Sequence, residues 1–257
     1  LPFAHSLNVT LGDRYSKYST FGSTNNWKVG VEYRPIEDLL LRGTVATIFR
    51  APTLGDVFAP PSVGSNGLSA DPCEHITVAN PACVGVPLDG TFVNNQLGQD
   101  VTTVVGSGSK YAGFPLGPET GKSFDFGAIY SPHFVQGLSL GVDVWRIYVD
   151  NVITGIGAQS VINLCFAGIA KYCPLIQRFP AGTAGAGQFL RISTPTVNLG
   201  RIDVTGTDLS ATYKLPSFAF GQFTIAVNAT YLSQYKIQTA PGEAGNQVLN
   251  AAGLMGS

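Results

Sequence analysis

The chain has 257 residues, enough for one large domain or two small ones. Charged residues make up only 12%, about half the roughly 25% of an ordinary soluble domain, while apolar residues stand at an ordinary 44%. Gly, Ser, Thr and Asn replace charge, and a net charge of −1 suggests neither nucleic acid nor an anionic surface as partner. No window approaches the roughly 18 uncharged apolar residues of a membrane helix, so any membrane crossing here is by strands.

From Ser6 the side chains alternate, as they do along a strand. Leu7, Val9, Leu11 and Tyr15 share a face with Asp13; Asn8, Thr10, Gly12 and Arg14 share the other. Residues 19–26 read as a polar loop. A hairpin follows, with Trp27, Val29, Val31 and Tyr33 opposite Lys28, Gly30 and Glu32, a turn at Arg34-Pro35-Ile36-Glu37-Asp38 and a second strand over 39–50. Arg50-Ala51-Pro52 ends that strand, because proline has no N–H to give a ladder. Residues 51–118 form a very long connection with one Cys pair and a short strand at 101–105; connections beyond about 15 residues are usually functional or disordered.

The next strand, over 122–130, sets Phe124, Phe126, Ala128 and Tyr130 against Ser123, Asp125, Gly127 and Ile129. A short turn at Ser131-Pro132-His133 leads to a strand over 138–153. There Leu140, Val142 and Val144 oppose Ser139, Gly141 and Asp143, and the phase blurs at Trp145-Arg146, through a bulge or through emergence from a bilayer. A second long loop over 154–199 holds the other Cys pair, a short helix at 161–169 and a glycine run at 182–187 that reads as flexible. Leu209, Ala211 and Tyr213 then oppose Asp208, Ser210, Thr212 and Lys214. Leu215-Pro216-Ser217 turns the chain, and Phe223, Ile225, Val227, Ala229 and Tyr231 rise opposite Gln222, Thr224, Asn228 and Thr230. After Lys236 the chain becomes Gly- and Ala-rich.

Two regularities emerge. Short turns alternate with longer loops, and each short turn follows a tyrosine and then a proline: Tyr33 and Pro35, Tyr130 and Pro132, Tyr213 and Pro216. Short periplasmic turns, long outer loops and aromatic girdles are the pattern of an outer-membrane barrel, with Tyr15, Tyr148 and Tyr231 in the outer girdle. A soluble β-sandwich has the same alternation, but the strand charges here keep almost wholly to the polar phase, and an Arg or Lys facing mid-bilayer lipid costs about 2–4 kcal/mol. The fold expected is all-β, a partial antiparallel transmembrane β-barrel wall of about seven long strands.

Cys73 and Cys83, then Cys165 and Cys173, lie as near pairs in polar loops, which reads as two local disulfides and an oxidising compartment. Zinc is disfavoured: neither pair has Cys-x2–4-Cys spacing, and His75 is the only histidine nearby.

The R-P-x-x-D turn, Leu39, Leu41 and Arg42, and then Phe-Arg-Ala-Pro-Thr-Leu at 49–54 resemble the barrel of TonB-dependent outer-membrane receptors. So do LPFAHSLNVTLGDRYSKYSTFGS, PETGKSFDFGAIYSP, GLSLGVDVWRIYVDNVI and VNLGRIDVTGTDLSATYKLP, in that order. The resemblance implies an outer-membrane location in a bacterial cell and TonB-energised uptake of a scarce nutrient: a ferric siderophore, cobalamin or an oligosaccharide. Partners implied are outer-membrane lipid, the receptor's own plug domain, the TonB complex and a small-molecule ligand, with no nucleic acid. Plug, TonB-contacting segment and closing strand are not found, so residues 1–257 are expected to be an interior part of one barrel domain. The alternatives are a passive porin or small eight-stranded barrel, and a secreted carbohydrate-binding β-sandwich.

Nothing points to an enzyme, a cofactor or a metal. His5 begins a strand, His75 sits in a disulfide loop and His133 in a turn, no spacing brings a base to a nucleophile, and the glycine runs lack a phosphate-binding pattern. Arg42, Arg50, Asp125 and Asp143 fall in the polar phase and are candidates for a lumen-facing ligand path. The plainer reading of these charges is solvation and packing against a plug.

Overall fold

Every alternating run becomes a strand in the computed structural model, which describes residues 5–19, 21–111, 113–238 and 248–253. The strands are β1 (Ser6–Tyr18), β2 (Gly22–Ile36), β3 (Leu39–Arg50), β4 (Ser62–Gly67), β5 (Asp100–Ser107), β6 (Glu119–Tyr130), β7 (Leu138–Gly155), β8 (Ile176–Arg178), β9 (Phe189–Lys214), β10 (Thr224–Gln238) and β11 (Val248–Asn250). Two helices, α1 (Leu54–Phe58) and α2 (Ala158–Phe166), lie in the long connections. The wall runs β1-β2-β3-β6-β7-β9-β10-β11 and every pairing along it is antiparallel. It therefore has seven long strands, as the alternation implied, and one short one.

Several strands run further than the sequence suggests. The polar composition of 19–26 suggests a loop, yet β1 and β2 stay paired to Tyr18 opposite Gly22. Likewise β7 continues to Gly155, and β9 spans 26 residues where a membrane strand needs about 9–11. The backbone ladder persists where one face is no longer continuously apolar, and there the sequence signal for a strand weakens.

The blurred phase at Trp145-Arg146 also lies within a continuous ladder. Register between β7 and β9 is unbroken from Leu138 opposite Tyr213 to Asp150 opposite Arg201, and shifts only around Val152. No bulge lies at 145–146. The two faces keep their sides and exchange chemistry: Leu140, Val142 and Val144 give way to Arg146, Tyr148 and Asp150 on one face, while Asp143 gives way to Trp145, Ile147 and Val149 on the other.

The wall exposes its apolar face. Phe126 is 55% exposed and Val227 59%, and Leu140, Val142, Leu209 and Ile225 are exposed beside them. A β-sandwich would bury these side chains between two sheets; a single sheet with an apolar outer face instead fits lipid. No ladder joins β1 to β10 or β11 among the described residues, as a closed eight-stranded barrel would require. No helix among them is long and apolar enough to cross a membrane.

The water-excluded core lies elsewhere, at the loop end. Residues from the two long connections and the start of β9 form one buried cluster that includes Leu68, Phe92, Val101, Ile162, Tyr172 and Ile192.

Candidate functional site

The polar face of the wall carries the charges. Arg42 on β3, Gly127 on β6 and Asp143 on β7 lie in one cross-strand row. The Arg42 guanidinium reaches across the intervening strand and donates Nε to Asp143 Oδ1 at 2.7 Å and an Nη to Oδ2 at 2.6 Å. Glycine at 127 makes this possible, since a Cβ there would overlap the Asp143 carboxylate. Asp125 lies one row nearer the loop end, between Thr44 and Trp145, with Lys28, Glu32 and Arg42 around the same polar hollow.

Arg50 sits in the same phase at the top of β3. Its Nε and an Nη donate to Glu119 at 2.6 and 2.5 Å, and another Nη lies 3.6 Å from Asp56 in α1. Glu119 also accepts the Ile153 N–H at 2.7 Å, so one carboxylate joins β3, β6 and β7 where they leave the wall. The structure thus brings Arg42 close to Asp143 and Asp125 and sets Arg50 apart, at the mouth. Glu119 was visible in the sequence only as the second residue of Pro-Glu-Thr-Gly-Lys, with nothing to mark its partner.

Above the mouth the two long connections fold into a single cap. Strand β5 lies parallel to β9, with Thr103 opposite Ile192 and Ser107 opposite Thr196, and β4 pairs with the far side of β5. Strand β8 takes the other edge of β9, so Ile192 has a neighbour on both sides and is fully buried. Disulfides Cys73–Cys83 and Cys165–Cys173 form as the sequence suggested, and Cys73, Cys83 and Cys165 sit inside the core. Polar side chains cross between the connections: Gln159 Oε1 accepts the N–H groups of Ser69 and Ala70, and Asn80 Nδ2 donates to the Phe166 carbonyl.

The centre of the cap is a buried ion pair that spacing did not reveal. Arg178 and Asp71 are 1% and 0% exposed. All the guanidinium donors are used: to both Asp71 oxygens at 2.8 Å, to the Gly187 and Ala82 carbonyls at 2.7 and 3.0 Å, and to Cys73 Sγ at 3.3 Å. Its Cζ lies 3.9 Å from the Phe189 ring centroid. Asp71 completes its shell with Asn94 Nδ2 and the Cys73 N–H.

The glycine run at 182–187, expected as flexible loop, is instead a chain of hydrogen-bonded turns. Gly187 adopts φ +81° so that its carbonyl meets Arg178, and a Cβ there would strike Phe92. The helix expected at 161–169 forms as α2, three residues earlier at each end, and the strand expected at 101–105 forms within β5. No group of three or more His, Cys, Asp or Glu side chains gathers to hold a metal ion among the described residues.

A single antiparallel wall with one apolar and one charged face, short turns at one end and a folded cap at the other, has the architecture of a transmembrane β-barrel wall. The model of the TonB-dependent receptor-like β-barrel matches residues 1–257, and the chain belongs to that family, whose members are outer-membrane receptors and not enzymes. No curated protein matches by sequence. Among solved structures, a double mutant of the ferric enterobactin receptor PfeA from Pseudomonas aeruginosa is similar over 98% of this chain and 28% of its own, at TM-score 0.55 and 16% identity. A single mutant of PfeA in complex with enterobactin is similar over 94% and 29%, at 0.53 and 15%. The siderophore receptor PirA from Acinetobacter baumannii is similar over 91% and 28%, at 0.53 and 14%. At these identities the likeness is one of fold, and this chain spans under a third of the length of those receptors.

Proposed function

We propose that this chain is a sector of the barrel wall, with its recognition cap, of an outer-membrane receptor that takes up a bulky scarce nutrient, a ferric siderophore before cobalamin or an oligosaccharide. One barrel domain contains residues 1–257. Its polar face lines the lumen, beside the receptor's own plug, and transport through it is energised by TonB. The observation that carries the reading is the cap: two connections are welded by a shared core, two disulfides and a buried ion pair at the loop end of a wall with one charged face. A pre-ordered surface loses less conformational entropy when it captures a ligand. A passive pore has no need of one. The siderophore preference draws on the structural neighbours, which include ferric enterobactin and other siderophore receptors.

Within this reading Arg42, Asp125 and Asp143 line the path past the plug, and Arg50 with Glu119 holds the mouth. The test is binding of radiolabelled ferric enterobactin, cyanocobalamin and a maltooligosaccharide to outer membranes bearing the full receptor, with and without TonB. Saturable binding of the ferric siderophore with TonB-dependent accumulation supports the reading. Accumulation that is unchanged without TonB contradicts it.

A further inference from the structure

The charged face of the wall does not stay charged up to the cap. The row of Arg42 and Asp143 is followed toward the loop end by the row of Asp125 and Trp145. The next row sets Ile147, Val204 and Tyr235 side by side, and the one beyond it Val149, Ile202 and Ile237. These six residues come from β7, β9 and β10, and none is charged.

Ile147 is 40% exposed and the other five are partly buried. Rows two residues apart lie about 7 Å from one another, and neighbouring strands about 4.8 Å. The six side chains therefore form a stripe about 10 Å wide. It runs on into a cavity of about 240 Å³ beside the start of α2. Ile202 and Ile237 wall that cavity from the sheet, and Val152, Ile156 and Leu199 wall it nearer the cap.

Such a stripe is out of place on this face. The interior of an outer-membrane barrel is polar, and an apolar patch that meets water elsewhere marks a binding surface. Bilayer lipid is not its occupant, because the face that carries Leu140, Val142, Leu209 and Ile225 is the opposite one. Stripe and cavity lie between the cap and the charged rows, on the course from the loop end to Arg42 and Asp143.

We propose that the stripe and its cavity take an uncharged aliphatic arm of the ferric chelate, while the cap holds the rest of the ligand. The inference rests on the reading that the charged face lines the lumen of an uptake receptor. Chemistry favours an aliphatic arm: Ile147, Val149, Ile202, Val204 and Ile237 offer hydrocarbon and no counter-charge. A charged group laid there would lose water with nothing to replace it. These side chains are β-branched and stiff at χ1, so they lose little freedom when an arm settles on them.

The test compares two ferric trihydroxamates of equal charge, N-octanoyl and N-acetyl ferrioxamine B. Their binding to the full receptor in nanodiscs is measured by calorimetry, with the heats of empty nanodiscs subtracted. The wild type should bind the octanoyl chelate at least tenfold more tightly. A combined V149T, I202T and V204T variant keeps the β-branched shape and adds hydroxyls. It should bring the preference below threefold and leave affinity for the acetyl chelate within threefold of the wild type. The heat-modifiable electrophoretic mobility of the variant verifies folding. In Ile147→Cys the thiol should react with a water-soluble reagent in the ligand-free receptor and be shielded by the octanoyl chelate. Equal affinities in the wild type, an unchanged preference in the folded threonine variant, or no binding of either chelate overturns the proposal. So does a thiol at 147 that is already shielded without chelate, which would give the stripe to the receptor's own plug or remaining loops. None of these readouts involves TonB, so a failure of energised uptake is scored separately from a failure of the stripe.

Discussion

Removing one partner of the Arg178–Asp71 pair should unfasten the cap and leave the wall standing. Both side chains are essentially inaccessible, and Arg178 bonds four different residues besides stacking on Phe189. In Asp71→Ala a guanidinium loses its counter-ion inside a hydrophobic core. Breaking a buried pair in this way typically costs about 3–5 kcal/mol. Arg178→Lys should do nearly as badly, because a point ammonium cannot address two carboxylate oxygens, two carbonyls and a sulfur from one fork. Strands β2, β3 and β6 contribute no residue to that core, so their ladders should be insulated from this loss. Native-state hydrogen exchange by mass spectrometry on the refolded receptor separates the two. At about 1.4 kcal/mol per tenfold, protection in segments 71–94 and 178–192 should fall by roughly two to three and a half orders of magnitude, while strands β2, β3 and β6 keep theirs. Exchange in those cap segments within threefold of the wild type would refute the account of the pair. Uniform loss of protection across the wall would refute the independence of the cap.

Reducing both disulfides should also loosen the cap: loops of 10 and 8 residues each restrict the unfolded chain by about 2.5 kcal/mol in the chain-entropy model, and mass spectrometry of the unreduced protein should find the pairs 73–83 and 165–173 uncrossed. Gly127→Val should lower the yield of folded barrel more than Gly12→Val, because only at 127 does the new side chain enter the space of the Asp143 carboxylate; equal yields would remove the argument for the Arg42 bridge. In the turn between β2 and β3, hydrogen bonds from the His133 ring and N–H hold the Asp38 carboxyl below the ordinary Asp value of about 3.9. The folded pKa is the lower one, so the contact contributes stability above the unfolded pKa and loses it as pH falls through the folded pKa. A carbon-13 NMR titration of Asp38 should show that low midpoint and its return toward ordinary in His133→Ala, and an unmoved midpoint would count against the contact. Asp143→Asn, which leaves Arg42 with a weaker partner, should reduce ligand accumulation several-fold without reducing capture at the cap; unchanged accumulation would take the pair out of the path.

The wall was legible in the sequence because a half-lipid, half-water sheet needs strict period-two alternation, and residues 6–16, 27–33, 122–130 and 223–231 show it. Legibility failed where that need ends. At Trp145-Arg146 the ladder continues but both faces change chemistry, and at 22–26 polar side chains conceal a paired strand. The cap was hidden for a different reason. Its core joins residues about a hundred positions apart, its central strand pairing is parallel, and Arg178 and Asp71 have no local pattern. Only the Cys pairs signalled order there, because a disulfide over a short loop is a local feature. Of the charged candidates, sequence phase placed Arg42, Asp125 and Asp143 correctly on one face but was silent on Glu119, which occupies Arg50.

The central claim is that the face carrying Arg42, Asp125 and Asp143 looks into a lumen while the face carrying Phe124, Phe126, Val142 and Val227 looks into lipid. Single cysteines introduced in turn at 124, 126, 142, 227, 125, 143 and 208 of the full receptor in native outer membranes decide it most directly, with a bilayer-soluble and a water-soluble thiol reagent. The account expects the bilayer-soluble reagent to label 124, 126, 142 and 227, and the water-soluble reagent alone to label 125, 143 and 208. Labelling of 125 and 143 from the lipid phase, with 126 and 142 protected, would contradict it.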